Sequence, residues 1–216
     1  MHIPDGFLDL PIAAMFAVLT AGAVGVALKR LNGELPNERI PLLGVVAAGI
    51  FAAQLLNWPI PGGTSAHFVG GSLAGILLGP WLGVLAMVAV VTIQALVFGD
   101  GGLLVLGANL WNMAVVNVLV GYAVFRLLEH RVPVGRVFLA GWAGVTAAAV
   151  FVGLQTGLSS AFAYQLEVTL LVMGGGHAIL GILEGGITHL VYRFIREARP
   201  DVIGGRRIGR AGGVEE

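Results

Sequence analysis

Apolar residues fall in long, uncharged runs along the chain, separated by short polar or glycine- and proline-rich intervals. Runs of this length and hydropathy predict membrane-spanning helices. Residues 11–27 form the first, with Pro11 suited to an opening helical turn and Lys29-Arg30 following its end. Residues 41–57 form the second, and the Pro59-Ile60-Pro61-Gly62-Gly63 segment after it predicts a loop that is not helical. The third, residues 64–79, is short at 16 residues against the roughly 20 needed to cross a bilayer. Gly79-Pro80 predicts a tight turn into the fourth, residues 80–98. Residues 99–107, GDGGLLVLG, predict an outer or re-entrant glycine-rich loop, and residues 108–125 and 137–157 the fifth and sixth spans. Two apolar runs remain, 159–173 and 177–194, split by Gly174-Gly175-Gly176.

Charge placement orients these runs. All 12 basic residues lie in three stretches: Lys29, Arg30 and Arg39; Arg126, Arg131 and Arg136; and Arg193 through Arg210. Loops rich in Lys and Arg stay cytoplasmic, so the chain between consecutive stretches crosses an even number of times. The first basic pair follows its apolar run, the reverse of a cleavable signal peptide, and this places the amino terminus outside. Crossing twice after residue 159 would put six arginines outside, so one crossing is expected, with residues 159–173 partly re-entrant or at the outer interface. The expectation is an all-α polytopic membrane protein of about seven transmembrane helices, amino terminus outside and carboxyl terminus cytoplasmic. Residues 1–195 form a single membrane domain led by a tail, residues 1–10, and residues 196–216 form a Gly/Arg-rich cytoplasmic tail of disordered composition.

Composition agrees. Mean hydropathy is +0.91 and only 11% of residues are charged, against about 25% in a soluble domain, which leaves no room for a sizeable soluble domain. A net charge of zero argues against a nucleic-acid partner, and the absence of cysteine excludes disulfides and thiolate metal sites. The one lysine, Lys29, makes a phosphate-binding Walker loop impossible, so any ATP hydrolysis falls to another protein. Neither HExxH nor Gly-x-Ser-x-Gly occurs. Small residues recur every four positions at Ala13, Ala17, Ala21 and Gly25, and again at Gly44, Ala48 and Ala52. Such stripes permit close helix approach in lipid, either inside the bundle or as a docking face for another subunit.

Candidate chemistry rests on the histidines. His130 lies between Glu129 and Arg131 in an inner loop and reads as solvated. His2 and His67 fall on one side of the topology. An amino-terminal Met-His can close a five- and a six-membered chelate ring through the Met1 amine, the His2 peptide nitrogen and the His2 ring, with His67 as fourth nitrogen. Square-planar nitrogen coordination suits Ni(II) or Cu(II), with low-spin Co(II) possible, and disfavours Mg, Ca and Mn. The site needs a free amine, and bulky His2 favours retention of Met1. Within the spans, Gln94, Asn112, Asn117, His177, Glu184 and His189 are polar, and intramembrane ionisable groups usually face a bundle interior. Glu184 and His177 therefore also permit a proton-coupled secondary metal transporter. Ser159 or Ser160 with His177 or His189 would be the elements of an intramembrane hydrolase, which no motif supports.

The segments MHIPDGFL, PIPGGTSAHFVGG, LLGPWLGVLAMVAVVTIQALVFGDGGLLVLGANLWNM and HAILGILEGGITHL resemble the CbiM/NikM family over residues 1 to about 195. That resemblance implies the substrate-binding component of an energy-coupling factor importer for Co(II) or Ni(II), with the metal as cargo, no resident cofactor and no enzymatic activity of its own. It implies partners in a prokaryotic plasma membrane: a transmembrane coupling protein, cytoplasmic ATPase subunits and a small auxiliary membrane subunit. It also implies that the tail folds back into the protein and that the metal is held by the Met1 amine, the backbone and ring nitrogens of His2, and the ring of His67. Under it, the small-residue stripes become a docking face.

Overall fold

The structure is a computed structural model that describes all residues except 32–38, 57, 61–63, 134, 201, 202 and 204–216. Among the described residues the chain forms seven helices: α1 Leu10–Leu31, α2 Arg39–Gln54, α3 Gly71–Leu78, α4 Pro80–Phe98, α5 Leu106–Leu127, α6 Arg136–Leu158 and α7 Leu166–Ala198. A small antiparallel hairpin, β1 Trp58–Ile60 with β2 Thr64–Ala66, joins α2 to α3. Five helices, α1 and α4 to α7, are long and apolar enough to cross a membrane. Their outward surface carries Val18, Val26, Leu96, Leu127, Leu183 and Phe194, as lipid contact requires.

Local signals explain most boundaries. Asp9 caps α1 by accepting the Ile12 N–H at 3.1 Å, with Pro11 in the first turn. Gly79, at φ 84°, turns the chain so that Pro80 opens α4, and Gly99 in left-handed conformation ends it. The third expected span is corrected: residues 64–66 are strand, and α3 is an eight-residue half-helix with every residue buried. At 1.5 Å per residue it is about 12 Å long and cannot cross alone. It packs instead against α4, α5 and α6. A Cβ on Gly83 would meet the Gly75 backbone at 2.8 Å, so α3 and α4 touch main chain to main chain. Ser72 in α3 binds Asn117 through its N–H (2.8 Å) and its hydroxyl (2.8 Å).

The last stretch is also resolved differently. Residues 166–173 are neither re-entrant nor a separate span; they are the first part of α7, one continuous helix of 33 residues. The triple glycine lies inside it, with a π-helical turn over Leu171–Gly175. Two more π turns occur, over Gln94–Phe98 in α4 and Trp111–Val116 in α5. The second helix ends at Gln54, ahead of the expected residue 57, which lies outside the described residues, as do residues 61–63 of the expected loop and most of the tail expected to be disordered. Of the small-residue stripes, Ala13 is buried, whereas Ala21, Gly25, Gly44, Ala48 and Ala52 face outward.

Candidate metal centre

The first ten residues plug into the bundle. Met1 and Ile3 are buried at 7% and 2% exposure, Met1 among the core that contains Val90 and Met113, and Ile3 beside Phe16, Val105 and Val152. Burying each side chain contributes about 2 kcal/mol. Hydrogen bonds then fix the register. Asn109 grips both backbone groups of Ile3, accepting its N–H at 2.8 Å and donating to its carbonyl at 3.0 Å. Gly102 N–H donates to the same carbonyl at 2.9 Å. The Asp5 carboxylate accepts the N–H groups of Leu103 (3.1 Å) and Leu104 (2.9 Å). Asp9 accepts from the N–H and hydroxyl of Ser160, and its own N–H donates to Ser159 Oγ.

These contacts explain the GDGG segment. Gly101 adopts φ +93°, and a Cβ on Gly102 would fall inside the Asp5 carboxylate, so the loop that receives the tail needs both glycines. Phe7 packs on Phe162 with ring centroids 4.9 Å apart.

The tail brings Met1 and His2 to His67. The Met1 amine stands 3.2 Å from His67 Nε2, and the two imidazoles stack with centroids 5.1 Å apart. His67 Nδ1 donates to the Phe68 carbonyl at 2.9 Å, which leaves the lone pair on Nε2, directed at the amine. On His2, Nε2 donates to Gln94 Oε1 at 3.2 Å, which leaves the lone pair on Nδ1, 3.2 Å from Asp100 Oδ1. Burial pushes the Met1 amine down to about 6 from its ordinary 8.0, against the pull of Asp100. His2 is pushed down to about 3, by burial first and then by the amine, with the Gln94 contact acting the other way. At neutral pH the His2–Asp100 contact is therefore not an ion pair. Both nitrogens present lone pairs.

Among the described residues no cluster of three or more His, Cys, Asp or Glu side chains gathers to hold an ion. What meets His67 is the terminal amine of Met1, a group with no side-chain signature.

The other polar candidates divide. Glu184 is buried on α7, and its two oxygens accept the N–H groups of Val69 (2.9 Å) and Gly70 (2.8 Å), so it holds the segment that carries His67. His177 donates from Nδ1 to the Met173 carbonyl at 2.9 Å and lines a cavity with His67, Phe68 and Glu184. Asn112 pairs with Gln155 through two hydrogen bonds, and Asn117 serves Ser72; neither reaches the tail. Ser159 and Ser160 fasten Asp9, and His189 Nδ1 is buried without a partner. His130 is exposed beyond α5. Sequence reasoning missed Gln54, Asn109 and the paired use of Asp5 and Asp100. A buried amide in an apolar run is the signal that marks Gln54 and Asn109.

Residues 2–202 match the CbiM family model, described as the cobalt uptake substrate-specific transmembrane region. The chain is similar to a putative metal transport protein of Haloquadratum walsbyi, 63% identical over 203 residues that cover 94% of this chain and 93% of that protein. It is similar to a putative fused nickel transport protein, NikMN, of Archaeoglobus fulgidus, 59% identical over 203 residues that cover 94% of this chain and 68% of that protein. A crystal structure described as a transition metal transporter matches with a TM-score of 0.86 and 34% identity, over 92% of this chain and 93% of that one. With its multi-pass helical bundle, this chain belongs to the CbiM family, the substrate-specific membrane components of cobalt and nickel uptake transporters.

Proposed function

We propose that this protein captures Co(II) or Ni(II) at its outer face through four nitrogens: the Met1 amine, the His2 amide nitrogen, His2 Nδ1 and His67 Nε2. The observation that carries the reading is the 3.2 Å approach of His67 Nε2, its lone pair free, to the amine of a buried tail. In a square plane with metal–nitrogen bonds of about 2.0 Å, neighbouring donors stand about 2.8 Å apart, so the pair closes by only a few tenths of an ångström. The tridentate tail leaves its fourth position between the amine and Nδ1, beside His67. Co(II) and Ni(II) both suit this set.

The orientation follows from the basic residues, with the amino terminus outside and the carboxyl terminus cytoplasmic. The protein is the capture subunit of an ATP-driven energy-coupling factor importer in a prokaryotic plasma membrane. It works with a transmembrane coupling protein, cytoplasmic ATPase subunits and a small auxiliary subunit. The outward small residues of α1 and α2 form the face for the coupling protein, since close backbone approach drives helix association in lipid. Metal binds outside, the tail closes over it, and ATP turnover in the partners drives reorientation and inward release.

Nickel and cobalt titration of purified protein tests the site. One residue added before Met1, His2→Ala and His67→Ala should each abolish high-affinity binding. Unchanged affinity in the extended protein would refute the assignment.

A further inference from the structure

Beyond the four nitrogens, a chain of buried amides runs from His2 into the bundle. His2 Nε2 contacts Gln94 Oε1, the Gln94 side-chain NH2 donates to Gln54 Oε1, and the Gln54 NH2 donates to the Val69 carbonyl. Gln54 and Gln94 are each only 2% exposed, so water does not compete for these groups.

The chain has a direction. A backbone carbonyl can only accept, so Gln54 must turn its NH2 to Val69 and its oxygen to Gln94. Gln94 must then present NH2 to Gln54 and oxygen to His2. That oxygen also only accepts, so His2 must carry its proton on Nε2, which leaves the Nδ1 lone pair free. Asp100 opposes this arrangement. Its Oδ1 lies 3.2 Å from Nδ1, where it would bind the other tautomer, Nδ1–H, through a charge-assisted hydrogen bond. A lone Gln94 could rotate and serve that tautomer with its NH2. Among the described residues, the Gln54–Val69 anchor is what holds it in the orientation it has. Gln94 itself opens the π-helical turn of α4, and such turns recur at functional sites.

We propose that Gln54 and Gln94 are positioning residues that set the His2 tautomer, holding Nδ1 unprotonated for metal against the competing pull of Asp100. The inference rests on the reading of His2 Nδ1 as a ligand. Partners one shell out from a metal commonly fix ligand tautomer, and their loss costs about 10–100-fold in affinity. Here the effect reaches two residues out, to a side chain that touches neither His2 nor the cargo.

The test uses full-length protein in detergent with 15N-labelled histidine, the His2 signals assigned by comparison with His2→Ala. Long-range 15N–1H spectra of the metal-free protein read which ring nitrogen bears the proton, and titration with Ni(II) alone reads affinity. Wild type should show Nε2–H. Gln54→Met should populate Nδ1–H and weaken Ni(II) binding about 10–100-fold. In a Gln94→Leu background the same substitution should do nothing further, because the relay acts only through Gln94. Gln54→Glu, which when protonated presents the same donor and acceptor, should restore the wild-type tautomer. Gln155→Met, in the separate Asn112 pair, should lower thermal stability and leave the tautomer alone. If Gln54→Met does not fold, Gln94→Met read by the same spectrum tests the relay from its other member. An unchanged His2 tautomer, or losses that simply add in the double variant, would overturn the relay. A tautomer that switches with no change in affinity would uphold the relay and sink His2 Nδ1 as a ligand.

Discussion

Asn109→Ala isolates the clamp on the tail from the metal ligands themselves. Asn109 is 1% exposed and makes two hydrogen bonds to Ile3, at 2.8 and 3.0 Å. Truncation leaves the Ile3 carbonyl with Gly102 N–H, but the Ile3 N–H is buried with no acceptor. Losing one neutral hydrogen bond costs about 1 kcal/mol and stranding a buried donor about 1–3 kcal/mol, so docking of the tail weakens by about 2–4 kcal/mol. If the complete ligand set exists only in the docked state, apparent affinity falls with the docked fraction, by up to about 1,000-fold. Ni(II) affinity should be read by chelator competition in detergent, alongside Asn112→Ala. That control removes an equally buried amide from the same helix and strands Gln155 instead. It should lower thermal stability without weakening metal. Equal affinity losses in the two variants would show that Asn109 acts only through global stability.

Two further outcomes follow from the same geometry. Gly102→Ala should weaken metal binding at least about tenfold, and should still do so in an Asp5→Ala background, because its Cβ would also strike the Asp5 backbone nitrogen; contacting residues couple by about 0.5–3 kcal/mol, and wild-type affinity in Gly102→Ala would refute the collision. Metal binding releases protons, and with the Met1 amine lowered to about 6 only the His2 amide contributes above that pH. The apparent dissociation constant should therefore rise about tenfold per pH unit lost between pH 8 and 6 and more steeply below. A steepening that already sets in at the ordinary amine value of 8.0 would show that the amine is not buried.

Helix α4 is legible to the residue because Gly79-Pro80 and Gly99 punctuate its ends. Helix α3 is not, because an apolar segment buried among other helices has the same composition as one in lipid, and hydropathy cannot tell the two environments apart. Gly174-Gly175-Gly176 reads as a break, since each glycine costs a helix about 1 kcal/mol. Packing against α6 offsets that cost, and a Cβ on Gly174 would press on Val150 at 3.1 Å. Met1, His2 and His67 are legible as candidate donors from their chemistry and from a charge pattern that sets them on one side. Their supports are harder to see: Asp5 meets the amides at 103 and 104, and Ile3 meets Asn109, across about a hundred residues. Only the folded loop joins them.

Charge gives a reason for building such a site from a chain terminus. A dication held by neutral imidazoles alone would leave two uncompensated charges where the donors are nearly dry, a steep cost in a low-dielectric setting. In the proposed set the His2 amide contributes one negative charge on binding and the adjacent Asp100 carboxylate a second, so the assembly closes near neutrality. Oxygen-seeking cations gain nothing from four nitrogens, so charge balance and selectivity come from one choice of donors. The same choice ties cargo exchange to the tail. In the proposed set three of the four nitrogens lie on residues 1 and 2, and Asn109, the loop amides and Ser159-Ser160 hold residues 3, 5 and 9 in the position that brings them to the fourth. On the proposed reading, a bundle that shifted those anchors would turn a four-point site into a three-point chelate on a loose strand, a weakening that inward release would need.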